Sequence, residues 1–131
     1  TRAIDFSNPE KLEIPETDYV ILFETIEHIA NSELLVTKAF QKAKKSVFIS
    51  IPNTGFFTYR LRLLLGKFPA QWVDQPNEHL RFWTVTDMKL WLTALGLQKN
   101  ATIKTYKGVP FLKHLWPSLF AAGMVIIIKK I

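Results

Sequence analysis

Apolar and polar positions fall into short runs of two different periods along this chain. Residues 18–23 read Asp-Tyr-Val-Ile-Leu-Phe, a β-forming stretch without alternation, the pattern of a strand buried on both faces of a parallel sheet. Residues 46–51 have the same character, and Pro52 stops them because it has no N–H for a ladder. Between them Val36, Phe40 and Ala43 recur at helical spacing behind the candidate caps Asn31 and Ser32. The pattern predicts a strand–helix–strand unit with a right-handed parallel crossover. Further on, Phe57, Leu61, Leu64 and Leu65 make one face of a short helix that Gly66 ends. Thr84 or Thr86 caps a second helix over 87–95, closed by Gly96. Residues 101–106 and 124–130 read as strands, and the proline-marked segment between them is too short for a crossover helix, so an antiparallel pair at the sheet's end is expected. The fold class is α/β.

Residues 67–83 are the exception to this order. Such a long connection inside a compact domain is usually functional or disordered, and Phe68, Trp72, Phe82 and Trp83 argue against disorder. Asp74, Glu78 and His79 supply its polar chemistry.

Composition narrows the class. The chain has 131 residues, 48% hydrophobic and 21% charged, which is one domain or a piece of one and not an intrinsically disordered tract. It contains no cysteine, which excludes a disulfide scaffold and a thiolate zinc site. The apolar runs 61–65 and 124–128 are far shorter than the ~20 residues of a membrane helix, and Thr1 opens no signal-like segment. A cytoplasmic protein without membrane contact is expected. The net charge of +6 permits an acidic partner, yet Lys38, Lys42, Lys44 and Lys45 lie along and just after one helical stretch, where lysines commonly keep a surface soluble. Without a recognised nucleic-acid motif, charge does not assign such a partner. The five glycines never stand two apart, so the chain has neither a Gly-x-Gly dinucleotide turn nor a phosphate loop.

Residues 18–28, Asp-Tyr-Val-Ile-Leu-Phe-Glu-Thr-Ile-Glu-His, resemble the fourth-strand motif of class I S-adenosylmethionine (SAM) dependent methyltransferases. The order of the following segments agrees: Val47-Phe-Ile-Ser-Ile-Pro-Asn53 as fifth strand, Asn77-Glu-His-Leu-Arg-Phe-Trp-Thr84 before a helix, and a last strand ending Lys129-Lys130. The turn at 52–55, the stretch 60–65 and the Pro76-Asn77-x-His79-Leu80 string are similar to the methionine biosynthesis protein MetW group and its type 11 methyltransferase relatives. The resemblance implies a partial Rossmann-like sheet, mostly parallel with an antiparallel terminal strand, starting near a family third strand at residues 2–6. The family's first strand, its Gly-x-Gly turn and its ribose-binding acid have no counterpart in these residues. One incomplete methyltransferase domain, corresponding to its C-terminal two thirds, is therefore expected over residues 1–131, with weak SAM binding on its own.

Each candidate site residue has a plainer alternative. The resemblance places Asp5 and Phe6 at the adenine, the carboxylate accepting from its amino group and the ring packing on it; a strand-end aspartate is the alternative. Phe23 and Glu24 leave the carboxyl end of a strand, where open α/β sheets bind ligands, and an aromatic face attracts a sulfonium. Equally, Phe23 is a core residue and Glu24 an acid favoured at a helix start. Glu24 and His28 stand four apart, but no further ligand completes a helical metal motif, so no metal is expected. His79 has a pKa suited to taking a proton from an acceptor nucleophile, or it simply holds its loop. Tyr59 and Trp72, with Phe56 and Phe57, would wall an acceptor pocket or only pack the lid. His114 reads as structural.

Two functions remain open. One is methyl transfer from SAM to a small-molecule acceptor, by alignment of nucleophile, methyl and sulfur in a dry pocket. The other is a catalytically silent methyltransferase-like protein acting through protein contacts, including a homo-oligomer or partner chain paired along the open edge of residues 18–23.

Overall fold

A computed structural model describes residues 10–69, 73 and 78–130 of the chain. The readings at residues 2–6, at Asp5 and Phe6 and at Trp72 lie outside the described residues. Strand β1 (Thr17–Phe23) is followed by one 3-10 turn (Ile26–His28), helix α1 (Ser32–Lys42) and strand β2 (Ala43–Pro52). Helices α2 (Phe57–Leu64) and α3 (Val85–Ala94) come next. Strand β3 (Ala101–Tyr106), the single-turn helices α4 (Leu112–Leu115) and α5 (Pro117–Phe120), and strand β4 (Gly123–Lys129) close the chain.

The four described strands form one sheet in the order β1-β2-β4-β3. β1 and β2 are parallel neighbours, as their unbroken apolar runs predict, whereas β4 pairs antiparallel with both β2 and β3. One described ladder is thus parallel and two are antiparallel. The connection between β3 and β4 does hold helix, but only single turns, which is consistent with an antiparallel return.

Local chemistry explains the ends. Asn31 caps α1 by accepting the Leu34 N–H on its side-chain oxygen. Thr84, not Thr86, caps α3: its hydroxyl accepts the Asp87 N–H, and the Asp87 carboxylate accepts the Thr84 N–H in return. Gly66 and Gly96 follow α2 and α3 with φ of 70° and 71°, a backbone that side-chain-bearing residues resist. Helix α1 ends where Ala43 turns extended, so Ala43 opens β2 and is not the last helical residue.

The sheet has two unlike faces. Register aligns Leu22 with Ile49 and Ile49 with Ile126, and Val20 with Val47 and Val47 with Ile128. Most of these residues join Leu35, Val36 and Ala39 of α1 and Met88 and Leu92 of α3 in one buried cluster. The alternate residues of β1, Tyr19, Ile21 and Phe23, point to the other face and are 49%, 61% and 56% exposed. The sequence predicts burial on both faces; the described chain supplies a covering layer for one. The apolar residues Leu61, Leu64 and Leu65 of the α2 region are likewise exposed.

Candidate functional site

Parallel β1 and β2 end together, and the polar groups collect at that carboxyl end. Directly after β1 the backbone turns sharply, with Glu24 at φ 45°, a left-handed conformation that costs a non-glycine residue energy. The Glu24 N–H donates to the Ser50 carbonyl at 2.9 Å. Its carboxylate accepts from the Ser50 hydroxyl at 2.8 Å and the Tyr106 hydroxyl at 3.2 Å. Tyr106 reaches over because Gly123 beneath it has no side chain: a Cβ there would stand 2.5 Å from the ring. Burial, then the Glu24 carboxylate, pushes the Tyr106 phenol above its ordinary pKa. Glu24 precedes this turn and is not on a helix: the segment after β1 is a 3-10 turn over Ile26–His28 and not a continuous α-helix.

That turn carries a second group. Glu27 is 1% exposed, and neither carboxylate oxygen has a hydrogen-bond donor among the described residues. Burial, with the Glu24 charge adding to it, raises its pKa to about 7. The His28 Nε2 stands 4.0 Å from Glu27 Oε1. Across from the turn, residues 78–81 are tied down by the Glu27 carbonyl, which accepts the Leu80 N–H at 2.8 Å and the Arg81 N–H at 3.0 Å. This pinning sets the His79 ring against His28, centroids 4.8 Å apart. Burial and the adjacent His28 hold the His79 pKa below its ordinary value, so the imidazole is neutral near neutral pH.

An outer network holds the segment in place. Arg81 ion-pairs with Glu33, donates to the Ala30 carbonyl at 3.0 Å and lies over the Trp83 ring. Glu33 also accepts the Trp91 indole N–H at 2.8 Å.

The structure thus brings His79 to the same turn as His28 and Glu27, and places Phe23 and Glu24 just before it. Tyr59 is half-buried on α2 with its ring 6.3 Å from Phe56. His114 is exposed on α4. Sequence reasoning missed Glu27, Ser50 and Tyr106. Glu27 carried a signal, an acid between the apolar Ile26 and His28, whereas Tyr106 is 82 residues from Glu24 and carried none. A cleft of about 580 Å³ lies elsewhere, lined by Leu12, Ile14, Lys38 and Lys42 among others; Lys38 there donates to the Glu10 and Leu12 carbonyls.

A family model described as a methyltransferase domain matches residues 3–102. No curated protein matches the chain. Among solved structures, the small RNA methyltransferase HEN1 is similar at a TM-score of 0.62 and 22% identity, over 90% of this chain and 15% of that one. A SAM-dependent methyltransferase of Archaeoglobus fulgidus is similar at 0.60 and 17%, over 93% and 63%. A SAM-dependent methyltransferase of Thermotoga maritima, described as a possible histamine N-methyltransferase, is similar at 0.63 and 15%, over 95% and 62%. At these identities the likeness is one of fold. The chain spans less than two thirds of each of these structures.

Proposed function

The chain belongs to the methyltransferase-domain family, and from that premise we propose that it forms the acceptor-side part of a SAM-dependent methyltransferase domain acting on a small molecule. The observation that carries this is the convergence of Phe23, Glu24 and His79 at the carboxyl end of β1, the place where open α/β sheets hold ligands. SAM would supply a methyl group on a positively charged sulfur. The residues present suit such a group: an exposed aromatic ring at Phe23, and a carboxylate at Glu24 already held by Ser50 and Tyr106. Neutral His79 offers a lone pair to a proton on the acceptor nucleophile. Residues 78–81, fixed by Glu27 and Arg81, keep that imidazole in position, which is the alignment methyl transfer requires.

The MetW-like strings at 52–55 and 76–80 support a small-molecule acceptor and a cytoplasmic setting. Among the described residues no helix is long and apolar enough to cross a membrane. Among the described residues one sheet face is open and no strand pairs with the outer side of β1, which leaves room for a further segment or chain to complete the SAM site.

The test supplies the protein with methyl-labelled SAM and a fractionated extract. Label in low-mass products, with release of S-adenosylhomocysteine, is the expected result. Label in RNA would replace the acceptor class. No S-adenosylhomocysteine with any fraction would overturn methyl transfer in favour of a silent interaction protein.

A further inference from the structure

Away from the core and the polar turn, α2 and the α4–α5 connection carry large apolar side chains on the surface. No residue of α2 is buried. Leu61, Leu64 and Leu65 are exposed there, Leu64 at 82%. In the connection Phe111, Leu115 and Trp116 are exposed, Phe111 at 84% and Leu115 at 81%. Three observations make these one surface and not scattered apolar residues.

The first is continuity. Phe57 of α2 packs on Phe120 of α5 with ring centroids 6.1 Å apart, and Phe120 lies 6.4 Å from Trp116. The Arg60 guanidinium donates to the Ser118 carbonyl at 3.4 Å. Phe57 and Arg60 thus turn one side of α2 toward α5. Leu61 and Leu64 follow them at i+4, one turn further along that same side.

The second is the backbone at Phe111. Its φ of 60° is a left-handed conformation that a bulky aromatic residue resists, yet the ring is held out in solvent. The fold gains no burial from a side chain so placed.

The third is charge. Residues 54–73 and 88–131 contain no Asp or Glu. Arg60 and Arg62 alternate with the leucines of α2, Lys67 follows it, and Lys113 is on α4. Asp87, whose capping partner Thr84 abuts Gly55, has its carboxylate committed to the α3 cap.

We propose that α2 and the α4–α5 connection form a docking surface for an anionic phospholipid bilayer, on which the chain rests without crossing it. Leucine and aromatic side chains enter the boundary between headgroups and acyl chains, while Arg and Lys stems lie along apolar surface with their charges at the phosphates. Apolar insertion and attraction to anionic headgroups then add. Single-stranded nucleic acid rewards stacking rings and gains little from exposed leucines. The core of a protein interface is depleted of Lys, whereas here cations interleave with the apolar residues. The sequence expectation of no membrane contact rests on the length a spanning helix needs; a surface contact needs no such length. The surface stands on its own chemistry and does not depend on methyl transfer.

The experiment mixes the 131-residue chain with vesicles of phosphatidylcholine alone, or of phosphatidylcholine and phosphatidylglycerol in equal parts, read by co-sedimentation and tryptophan emission. Saturable binding to the mixed vesicles is expected, about tenfold or more tighter than to phosphatidylcholine and weakened by salt. Leu64→Ser with Leu115→Ser should weaken it about tenfold or more, and Lys67→Gln with Lys113→Gln should reduce the preference for anionic lipid severalfold. Ile21→Ser, on the open sheet face, should leave binding unchanged. Thermal melts show whether each variant is folded; if the leucine pair is not, the lysine pair decides. Equal binding to both vesicle types, binding to neither, binding that survives both paired substitutions, or binding lost with Ile21→Ser overturns the proposal. A leucine-dependent dimer, or leucine-dependent binding of a single-stranded RNA, without vesicle binding gives the surface a different partner and overturns it as well.

Discussion

Leu22 is 3% exposed and its neighbour Ile21 is 61% exposed, although both belong to one uninterrupted apolar strand. The difference is between the two faces of the sheet. On one, β1, β2 and β4 meet α1 and α3 in a closed apolar cluster. On the other, Tyr19, against half-buried Phe48, and Ile21 and Phe23 have no comparable cover among the described residues. A face that closes on itself accounts for stability; an apolar face that the described residues leave open contributes little to it.

The sharpest way to break this comparison is to cut the same side chain on each face. Ile49→Ala removes a fully buried side chain from the closed face and should lower unfolding free energy by about 2–5 kcal/mol in urea titrations. Glu33→Ala comes next. It takes the acceptor from Trp91 and the partner from Arg81, should cost roughly 1 kcal/mol given how exposed the ion pair is, and should loosen residues 78–81 in hydrogen exchange. Thr84→Ala deletes the capping hydroxyl of α3 and should cost about 1 kcal/mol, visible as a lower melting midpoint. Smallest of all, Ile21→Ala should change stability by no more than about 0.5 kcal/mol. A loss at Ile21 as large as at Ile49 would show that both faces are covered and would erase the contrast.

How much of this was legible follows from the range of each interaction. The helices were readable because their signals are local: Asn31 and Thr84 before them, Gly66 and Gly96 after them. The parallel pair was readable because β1 and β2 carry the same unalternating pattern around one helix. The exposure of Ile21 and Phe23 was not, since the pattern records what a strand is suited to bury and not what this chain provides to cover it. Within the candidate site, Phe23, Glu24 and His79 were singled out by their position in motifs. Glu27 was passed over because an i,i+4 pairing assumes a continuous α-helix, and the turn here is 3-10. The Glu24–Tyr106 bond needs β4 to insert between β2 and β3, a matter of topology that no spacing reveals.

The central claim is that the carboxyl end of β1 is where the methyl donor sits. Titration of SAM into isotopically labelled protein, followed by backbone amide shifts, tests it directly even where affinity is weak. The account predicts progressive shifts concentrated at residues 23–28 and 78–80, with Ser50 and Tyr106 responding through Glu24. No shifts at millimolar SAM, or shifts confined to the cleft around Leu12 and Lys42, would contradict it.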